Sequence, residues 1–291
     1  MFKYIKFKNS LYNTLFLKYK KPIKTFEEKY PNKSEEYILR VNNALNKYLP
    51  FIKSLKKRKF ENTLEIGSGF GTVSIGLSFL TKKLTCLEID NKSVNFLSRS
   101  SGMEKTEYVK NNSANFYRKN SFFDLIIYSA SLEHMTPKER ELSLSNSWKM
   151  LKKNGFLIIL ECPNLYWYKD EHSTKLLFNS WQREDIAFRQ TKDTPRKAFM
   201  DLYTDVTDKK QVFHWLRRGR PVSKEEIEIY LGIKLGSHNI YSLEKFLGWR
   251  FLLRRFTYGL KYNLFSYLLK SLELEDGFCH PFFNIAIKKI K

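Results

Sequence analysis

Short apolar runs alternate with amphipathic stretches through the middle of the chain, between residues 62 and 161. Apolar runs of this kind are typical of strands buried on both faces of a parallel sheet. The pattern predicts strands at residues 62–66, 84–89, 106–110, 123–128 and 156–161. It predicts helices between them at residues 71–80, 92–98 and 136–151. This alternation indicates an α/β fold with a doubly wound, mostly parallel sheet.

The helix predicted at 136–151 has a distinct start signal. Thr136 is a predicted N-cap, Pro137 suits the first helical position, and Glu139 can complete a capping box. Because side chains of this kind satisfy the free N–H groups of a first turn, we expect a well-defined helix start here.

The two flanks of this core have other patterns. Residues 1–60 are rich in Lys and Tyr and read as helical, with helices predicted near 35–48 and 50–57. From Pro163 to about Leu243 the alternation stops, and the stretch is too long for a plain loop, so a small helical insertion is expected. The chain closes with an apolar segment near 249–256, a helix near 260–272 and a strand at 282–287.

A glycine-rich turn follows the first predicted strand. Glu65 stands just before it, and Gly67, Gly69 and Gly71 form a GxGxG pattern, with Thr72 at the position where a dinucleotide site (GxGxxG) would have its third glycine. Glycines let the backbone approach a ligand, and Glu88, at the end of the second strand, is placed to bind ribose hydroxyls. A carboxylate beside the turn suits a cationic group better than a pyrophosphate. The layout therefore indicates a nucleoside that carries positive charge.

These residues resemble the first motif of the class I S-adenosylmethionine-dependent methyltransferases, (D/E)xGxGxG. The resemblance covers residues 62–165 well and implies a seven-stranded Rossmann-like sheet with S-adenosylmethionine as cofactor. It implies four parts: an N-terminal helical cap (1–60), a cofactor-binding core (61–165), an acceptor-binding helical insertion after strand 5 (166–245) and C-terminal strands that complete the sheet (246–291).

The resemblance also implies the cofactor contacts. Glu65 would lie near the methionine ammonium. Glu88 would bind the ribose hydroxyls in preference to Asp90, which reads as a helix N-cap. Asn112 or Ser113 would replace the aspartate that many members use for the adenine amino group. The other cofactor-binding residues that we expect are Gly67, Ser68, Gly69, Gly71, Ile89 and Ser129.

Two histidines are candidates for the general base. His134 ends the segment Ser129-Ala130-Ser131-Leu132-Glu133-His134, and many members that act on small molecules carry Leu-Glu-His here. An alternative is that His134 only supports the loop. His172 lies in a segment, 160–185, that resembles a bacterial subset associated with sugar and cell-surface glycan modification. No Asp, Glu and His cluster has ligand spacing along the chain, so the sequence predicts no metal site.

Side chains near these segments suggest an acceptor site. Tyr166, Trp167, Tyr168 and Trp181 could form a stacking wall for a sugar, or could equally pack a core. Residues 217–220, Arg-Arg-Gly-Arg, could hold an acceptor phosphate or form a solvated basic face.

Charge and cysteine content limit the class of partner. The formal charge is +22, which indicates a polyanionic partner or a lysine-rich coding bias. Three distant cysteines, Cys86, Cys162 and Cys279, indicate no disulfide framework, and a cytoplasmic location is expected. No apolar run approaches the ~20 residues of a membrane helix. The basic, aromatic residues 1–8 could contact a membrane surface or pack on the domain.

Three hypotheses follow. The leading one is methyl transfer to a small-molecule or glycan-type acceptor, at oxygen. The second is an RNA or protein methyltransferase, motivated by the charge, although the Asn-Pro-Pro-Tyr-type motif of base-methylating relatives is absent. The third is a non-catalytic cofactor-binding subunit, because a fold alone does not establish activity.

Overall fold

A twisted sheet forms the centre of the computed structural model, which describes residues 10–290 apart from 101, 102, 104, 201 and 252–258. Within those ranges the sheet has seven strands in the order β3-β2-β1-β4-β5-β7-β6. Strands β1 to β5 are parallel, and β7 is antiparallel to both β5 and β6. The strands are β1 Phe60–Ile66, β2 Thr81–Glu88, β3 Thr106–Lys110, β4 Phe123–Ser129, β5 Leu151–Pro163, β6 Ile240–Ser242 and β7 Phe282–Lys288.

Helices cover both faces of this sheet. The N-terminal ones are α1 Ser10–Lys29, α2 Ser34–Asn43 and α3 Leu49–Leu55, with a π-helical turn at Ala44–Tyr48. Those between the core strands are α4 Ser74–Leu80, α5 Asn91–Ser98 and α6 Pro137–Met150. The later ones are α7 Glu184–Gln190, α8 Lys197–Met200, α9 Lys209–Leu216, α10 Lys224–Leu231, α11 Leu243–Leu247 and α12 Leu260–Ser271. None of the helices in the described ranges has the length and apolar character that a bilayer crossing needs.

Alternate residues of the central strands enter two separate cores. On β4, Leu125 and Ile127 pack with helices α1 to α5, whereas Ile126 and Tyr128 pack with α6 and α10. Successive side chains of a strand point to opposite faces, so an unbroken apolar run is what a sheet covered on both sides requires. The predicted doubly wound fold, the seven strands and the helical N-terminal region are therefore confirmed.

The outer strands differ in position from the sequence patterns. Strand β5 begins at Leu151, earlier than residue 156, because Leu151 pairs with Phe123 of β4. The strand beside β7 is the short Ile240–Ser242, before the apolar segment near 249–256. Part of that segment, and residues 1–8, lie outside the described residues. The three cysteines are buried.

The start of α6 has the predicted capping box. The Thr136 hydroxyl accepts the N–H of Glu139, and the Glu139 carboxylate accepts the N–H of Thr136. We expect Thr136→Ala to lower the free energy of unfolding by about 1 kcal/mol, because one N–H of the first turn loses its acceptor. Urea denaturation measures this change. Thr136→Ser keeps a hydroxyl and serves as the control; equal losses in both variants would contradict the capping explanation.

Candidate active site

A cleft of about 390 Å³ opens at the carboxyl ends of β1, β2 and β4. In open α/β sheets, this edge is where ligands bind. Ten of the predicted site residues line the cleft: Glu65, Gly67, Ser68, Gly69, Glu88, Ile89, Asn112, Ser113, Ser129 and His134. Gly71 and His172 do not line it. The cleft therefore collects nearly all of the cofactor residues that the sequence pattern singled out.

The glycine turn forms the floor of the cleft and has three glycines with positive φ. A Cβ on Gly67 would lie 2.6 Å from the Cβ of Ser131, so a side chain there would force the turn away from β4. Gly69 has φ +49° and open space beside it, which leaves room for a ligand. A Cβ on Gly71 would meet Leu97 at 2.2 Å. Gly71 therefore allows the turn to pack on α5 rather than to face the cleft.

Glu65 is a buried acid at the end of β1. Its side chain is almost inaccessible, and its Oε2 has no hydrogen-bond partner in the structure. Burial raises the pKa of Glu65 to about 8, because the charged form loses its hydration. A buried acid with an unpartnered oxygen on a cleft wall suits a cationic group, which would favour its charged form.

Glu88 holds the glycine turn from the end of β2. Its carboxylate accepts the N–H groups of Gly69 at 2.8 Å, Ile89 at 2.7 Å and Asp90 at 3.0 Å. Asp90 instead accepts the N–H and hydroxyl of Ser93 and caps α5. The half-buried Glu88 is thus at the cleft, whereas Asp90 is engaged in the start of a helix.

Asn112 and Ser113 border the cleft after β3. The Asn112 oxygen accepts the N–H of Ala114, and its amide group donates to Glu139 at 2.8 Å. Both ends of the Asn112 amide are therefore used within the protein. The buried Ser113 hydroxyl has only a weak contact with Met135, so it is the freer of the two candidates for an adenine contact.

The N-terminal helices, which the sequence predicts only as a cap, form a wall of the cleft. Tyr37 and Arg40 of α2 line it. The Tyr19 hydroxyl of α1 donates to the carbonyl of Thr72 and accepts the N–H of Gly76, which ties this layer to the glycine turn. The signal for Arg40 was weak, since an arginine four residues after Glu36 reads as an ordinary helix ion pair.

His134 lies at the side of the cleft, with its side chain half exposed. Its Nδ1 is 3.0 Å from the carbonyl oxygen of Arg217. A carbonyl can only accept, so this contact places the proton of a neutral ring on Nδ1 and leaves a lone pair on Nε2. Burial lowers the pKa of His134, which keeps the ring neutral near pH 7. The ring therefore has a free basic nitrogen beside the cleft.

Two further residues accompany His134. The ring of His172 lies 5.5 Å from that of His134, centroid to centroid, and the Glu133 carboxylate is 3.9 Å from the His134 Nε2. Burial and the neighbouring His134 lower the pKa of His172 to about 4, while burial raises the pKa of Glu133 to about 8. The fold thus brings both histidine candidates together. It adds Glu133, for which the sequence pattern indicates no role beyond its place in a Leu-Glu-His triplet.

The aromatic and basic segments of the insertion have mainly structural contacts. Trp167 is buried against Tyr262 and Phe265, so it packs a core rather than a stacking wall. Arg217 pairs with Glu139, and the Arg220 guanidinium lies 4.2 Å from the ring of Trp215. The contacts of Trp167 favour the core-packing alternative, whereas Trp181 is half exposed. Arg217 and Arg220 have partners within the protein, so they do not form the solvated basic face that the sequence left open.

The segment that contains the glycine turn matches a known protein family. Residues 64–159 match a family model described as "Methyltransferase domain". The match spans the glycine turn, Glu88 and the segment up to His134, which line the cleft together with the N-terminal helices. Fold, cleft and family match define a transferase of the class I S-adenosylmethionine-dependent methyltransferases. Residues 64–159 thus carry a methyltransferase domain, and S-adenosylmethionine is the cofactor.

Solved structures with a similar fold include several methyltransferases. The YcgJ protein from Bacillus subtilis is 14% identical, with 50% of this chain and 67% of that chain covered and a TM-score of 0.37. Phosphoethanolamine N-methyltransferase 1 from Haemonchus contortus is 15% identical over 66% of this chain and 37% of that chain, TM-score 0.42. The N-methyltransferase NodS from Bradyrhizobium japonicum is 19% identical, with 52% of this chain and 72% of that chain covered and a TM-score of 0.36. No curated protein matches the sequence significantly.

Proposed function

We propose that the protein transfers the methyl group of S-adenosylmethionine to an oxygen atom of a small-molecule or sugar-type acceptor. The observation that carries this proposal is the position of His134. Its Nε2 is left free by the bond between Nδ1 and the Arg217 carbonyl, and its ring borders the cofactor cleft. A neutral imidazole so placed can accept the proton of an acceptor hydroxyl.

The cofactor residues have separate tasks in this proposal. Glu88 accepts hydrogen bonds from the two ribose hydroxyls, and Glu65 faces the methionine ammonium. Gly67 and Gly69 allow the backbone to approach the cofactor, and Ser113 or Asn112 contacts the adenine. S-Adenosylmethionine supplies an activated methyl group on its sulfonium. The protein's main contribution is then alignment of the acceptor oxygen with that methyl, which can be worth ~7–11 kcal/mol of the barrier in well-aligned systems.

The insertion at 166–245 is the proposed acceptor-binding part. It supplies His172 and, through the Arg217 carbonyl, the hydrogen bond that orients His134. Its arginines at 217 and 220 are engaged with Glu139 and Trp215. They therefore do not form the open basic strip that RNA binding would favour, so a small acceptor is preferred over RNA or protein despite the charge of +22.

A comparison of small metabolites and glycans from cells with and without the gene tests this proposal. We expect one compound to lose the mass of one methylene group when the gene is absent, at a hydroxyl position. The purified protein should then form S-adenosylhomocysteine with the demethylated compound. Binding of S-adenosylmethionine without turnover of any of these compounds would favour the non-catalytic alternative. Methylation of a nitrogen atom would refute the assignment of oxygen.

The buried Glu65 predicts a proton release when the cofactor binds. With a pKa of about 8, the carboxyl is mostly protonated at pH 7. A nearby ammonium favours the carboxylate, so binding should lower the pKa and release up to about one proton at pH 7. The release should fade above about pH 9, where the free protein is already ionised. Calorimetric titrations in buffers with different ionisation enthalpies measure it.

The control for this release is Glu65→Gln, which keeps the shape and cannot ionise. We expect it to bind the cofactor more weakly and without the proton release. The same release in both proteins would show that another group titrates, and would remove Glu65 from the ammonium site.

A further inference from the structure

The side chains of Glu133, His134 and His172 form a cluster at the edge of the cleft. One ligand atom from each lies within 4.8 Å of the other two. Glu133 is completely buried, and neither of its carboxylate oxygens has a hydrogen-bond partner. A buried carboxylate without partners is costly, and in proteins such groups are paired or coordinate a metal. The unpartnered oxygens therefore point to a missing positively charged partner between the three side chains.

The protein around the cluster fixes the orientation of its members. Asp170 accepts the N–H of His172 at 3.0 Å and that of Thr174 at 2.7 Å, which holds the loop carrying His172. A Cβ on Gly219 would lie 2.1 Å from Cδ2 of His172, so only glycine leaves room for this ring. The N–H of Gly219 also donates to the backbone carbonyl of Glu133 at 3.0 Å. The loop around Gly219 thus packs against both His172 and Glu133.

The hydrogen bond of His134 is the kind that accompanies metal ligation. A metal-ligating histidine commonly donates its second N–H to a carbonyl or carboxylate, which fixes the tautomer and the ring. His134 has this bond, from Nδ1 to the Arg217 carbonyl, and its Nε2 faces Glu133 at 3.9 Å.

We propose that Glu133, His134 and His172 hold one divalent transition-metal ion, which binds the acceptor oxygen beside the cofactor. Two imidazoles and one carboxylate suit a first-row ion such as Zn²⁺, Mn²⁺ or Co²⁺, and three protein ligands leave positions open for a substrate. With bonds of about 2.0–2.2 Å, the three ligand atoms have to close by roughly an ångström around the ion. Side-chain rotation at the half-exposed His134 can supply this movement.

The metal ion adds a role to the proposed function. The choice of oxygen as the acceptor atom rests on that proposed function. A hydroxyl bound to a divalent ion loses its proton more readily, as metal-bound water does. The hydroxyl proton leaves to solvent, and the metal-bound oxygen forms a bond to the methyl carbon. The carbon–sulfur bond breaks with its electron pair remaining on sulfur, which gives the methyl ether and neutral S-adenosylhomocysteine. In this form His134 is a ligand rather than the proton acceptor.

Titration of chelator-treated protein with Co²⁺ tests the metal site directly. We expect a visible absorption band that saturates at one equivalent and is displaced by Zn²⁺. Glu133→Gln and His172→Asn should each weaken Co²⁺ binding by at least ~10–100-fold, the loss seen even for outer-shell changes at metal sites. Glu244→Gln is the matched control, because Glu244, Asp276 and His280 form another carboxylate and histidine cluster in the described residues.

Binding of S-adenosylhomocysteine, measured on the same proteins, separates the two proposals. Variants that keep this binding but lose Co²⁺ are folded and support the metal site. Wild-type protein that binds S-adenosylhomocysteine but no Co²⁺ or Zn²⁺ would overturn the metal site and leave the proposed function standing. Co²⁺ binding that Glu244→Gln abolishes and Glu133→Gln does not would also overturn it.

Discussion

Glu88→Ala is expected to weaken S-adenosylmethionine binding by roughly 10²–10⁴-fold. In the proposed site the Glu88 carboxylate accepts hydrogen bonds from both ribose hydroxyls, and bonds to a charged acceptor are worth about 1.5–3 kcal/mol each. Two such bonds amount to about 3–6 kcal/mol, which converts to that range of affinity. The carboxylate also holds the N–H of Gly69, so its loss loosens the glycine turn as well. Calorimetric titration with the cofactor measures the effect.

Asp90→Ala is the matched control for this prediction. Asp90 is two residues away but caps α5 through Ser93. Its removal should therefore cost about 1 kcal/mol of folding free energy and leave cofactor affinity nearly unchanged. Gly69→Val offers a second test, since a β-branched residue is strained at φ +49° and would fill the open space beside the turn. Unaltered cofactor binding in Glu88→Ala and Gly69→Val would rule out the assigned cofactor site.

His134→Ala is expected to lower turnover by at least ~10²-fold while cofactor affinity stays the same. A positioned group that removes a proton typically contributes 10²–10⁴-fold, and loss of a metal ligand at this point would remove the activation of the same oxygen. His134 borders the cleft, and in the proposed function it acts on the acceptor rather than on the cofactor. Formation of S-adenosylhomocysteine with the identified acceptor measures turnover, and equilibrium titration measures cofactor affinity.

His238→Ala controls for the loss of a histidine, because His238 is an exposed residue that does not line the cleft. It should turn over at the wild-type rate. A full-rate His134→Ala protein would exclude His134 both as a base and as a ligand. Added Zn²⁺ distinguishes these two roles, because it changes the rate of chelator-treated wild-type protein only if a metal site is present. The pH profile alone does not, since a histidine must lose its proton both to act as a base and to bind a metal.

Local sequence patterns predicted the core of the fold well. The strand at 106–110 and the capping box at Thr136 were placed where the structure has them, because each depends on residues that are neighbours along the chain. The same applies to the glycine turn and Glu88, which belong to one strand–turn–helix–strand unit. Patterns of this kind record short-range interactions, so the sequence alone is sufficient to bring these residues to one edge of the sheet.

The arrangement of His134, His172 and Glu133 could not be predicted from local patterns, because it depends on contacts between distant segments. His172 reaches His134 through the insertion, and the hydrogen bond that orients His134 comes from Arg217. A buried acid such as Glu133 has no local signal that separates it from a solvated one. The aromatic residue Trp167 illustrates the same limit, since a core position and a sugar-stacking position have the same composition.

The helices before the sheet have a consequence for where the catalytic unit begins. The family match starts at residue 64, yet Tyr37 and Arg40 line the cofactor cleft, and Tyr19 bridges the carbonyl of Thr72 and the N–H of Gly76. A protein shortened to the matched segment would lack one side of the cofactor's enclosure and the hydroxyl that fixes the glycine turn. We therefore expect the smallest working enzyme to be longer than the matched segment, with its boundary at or before α1.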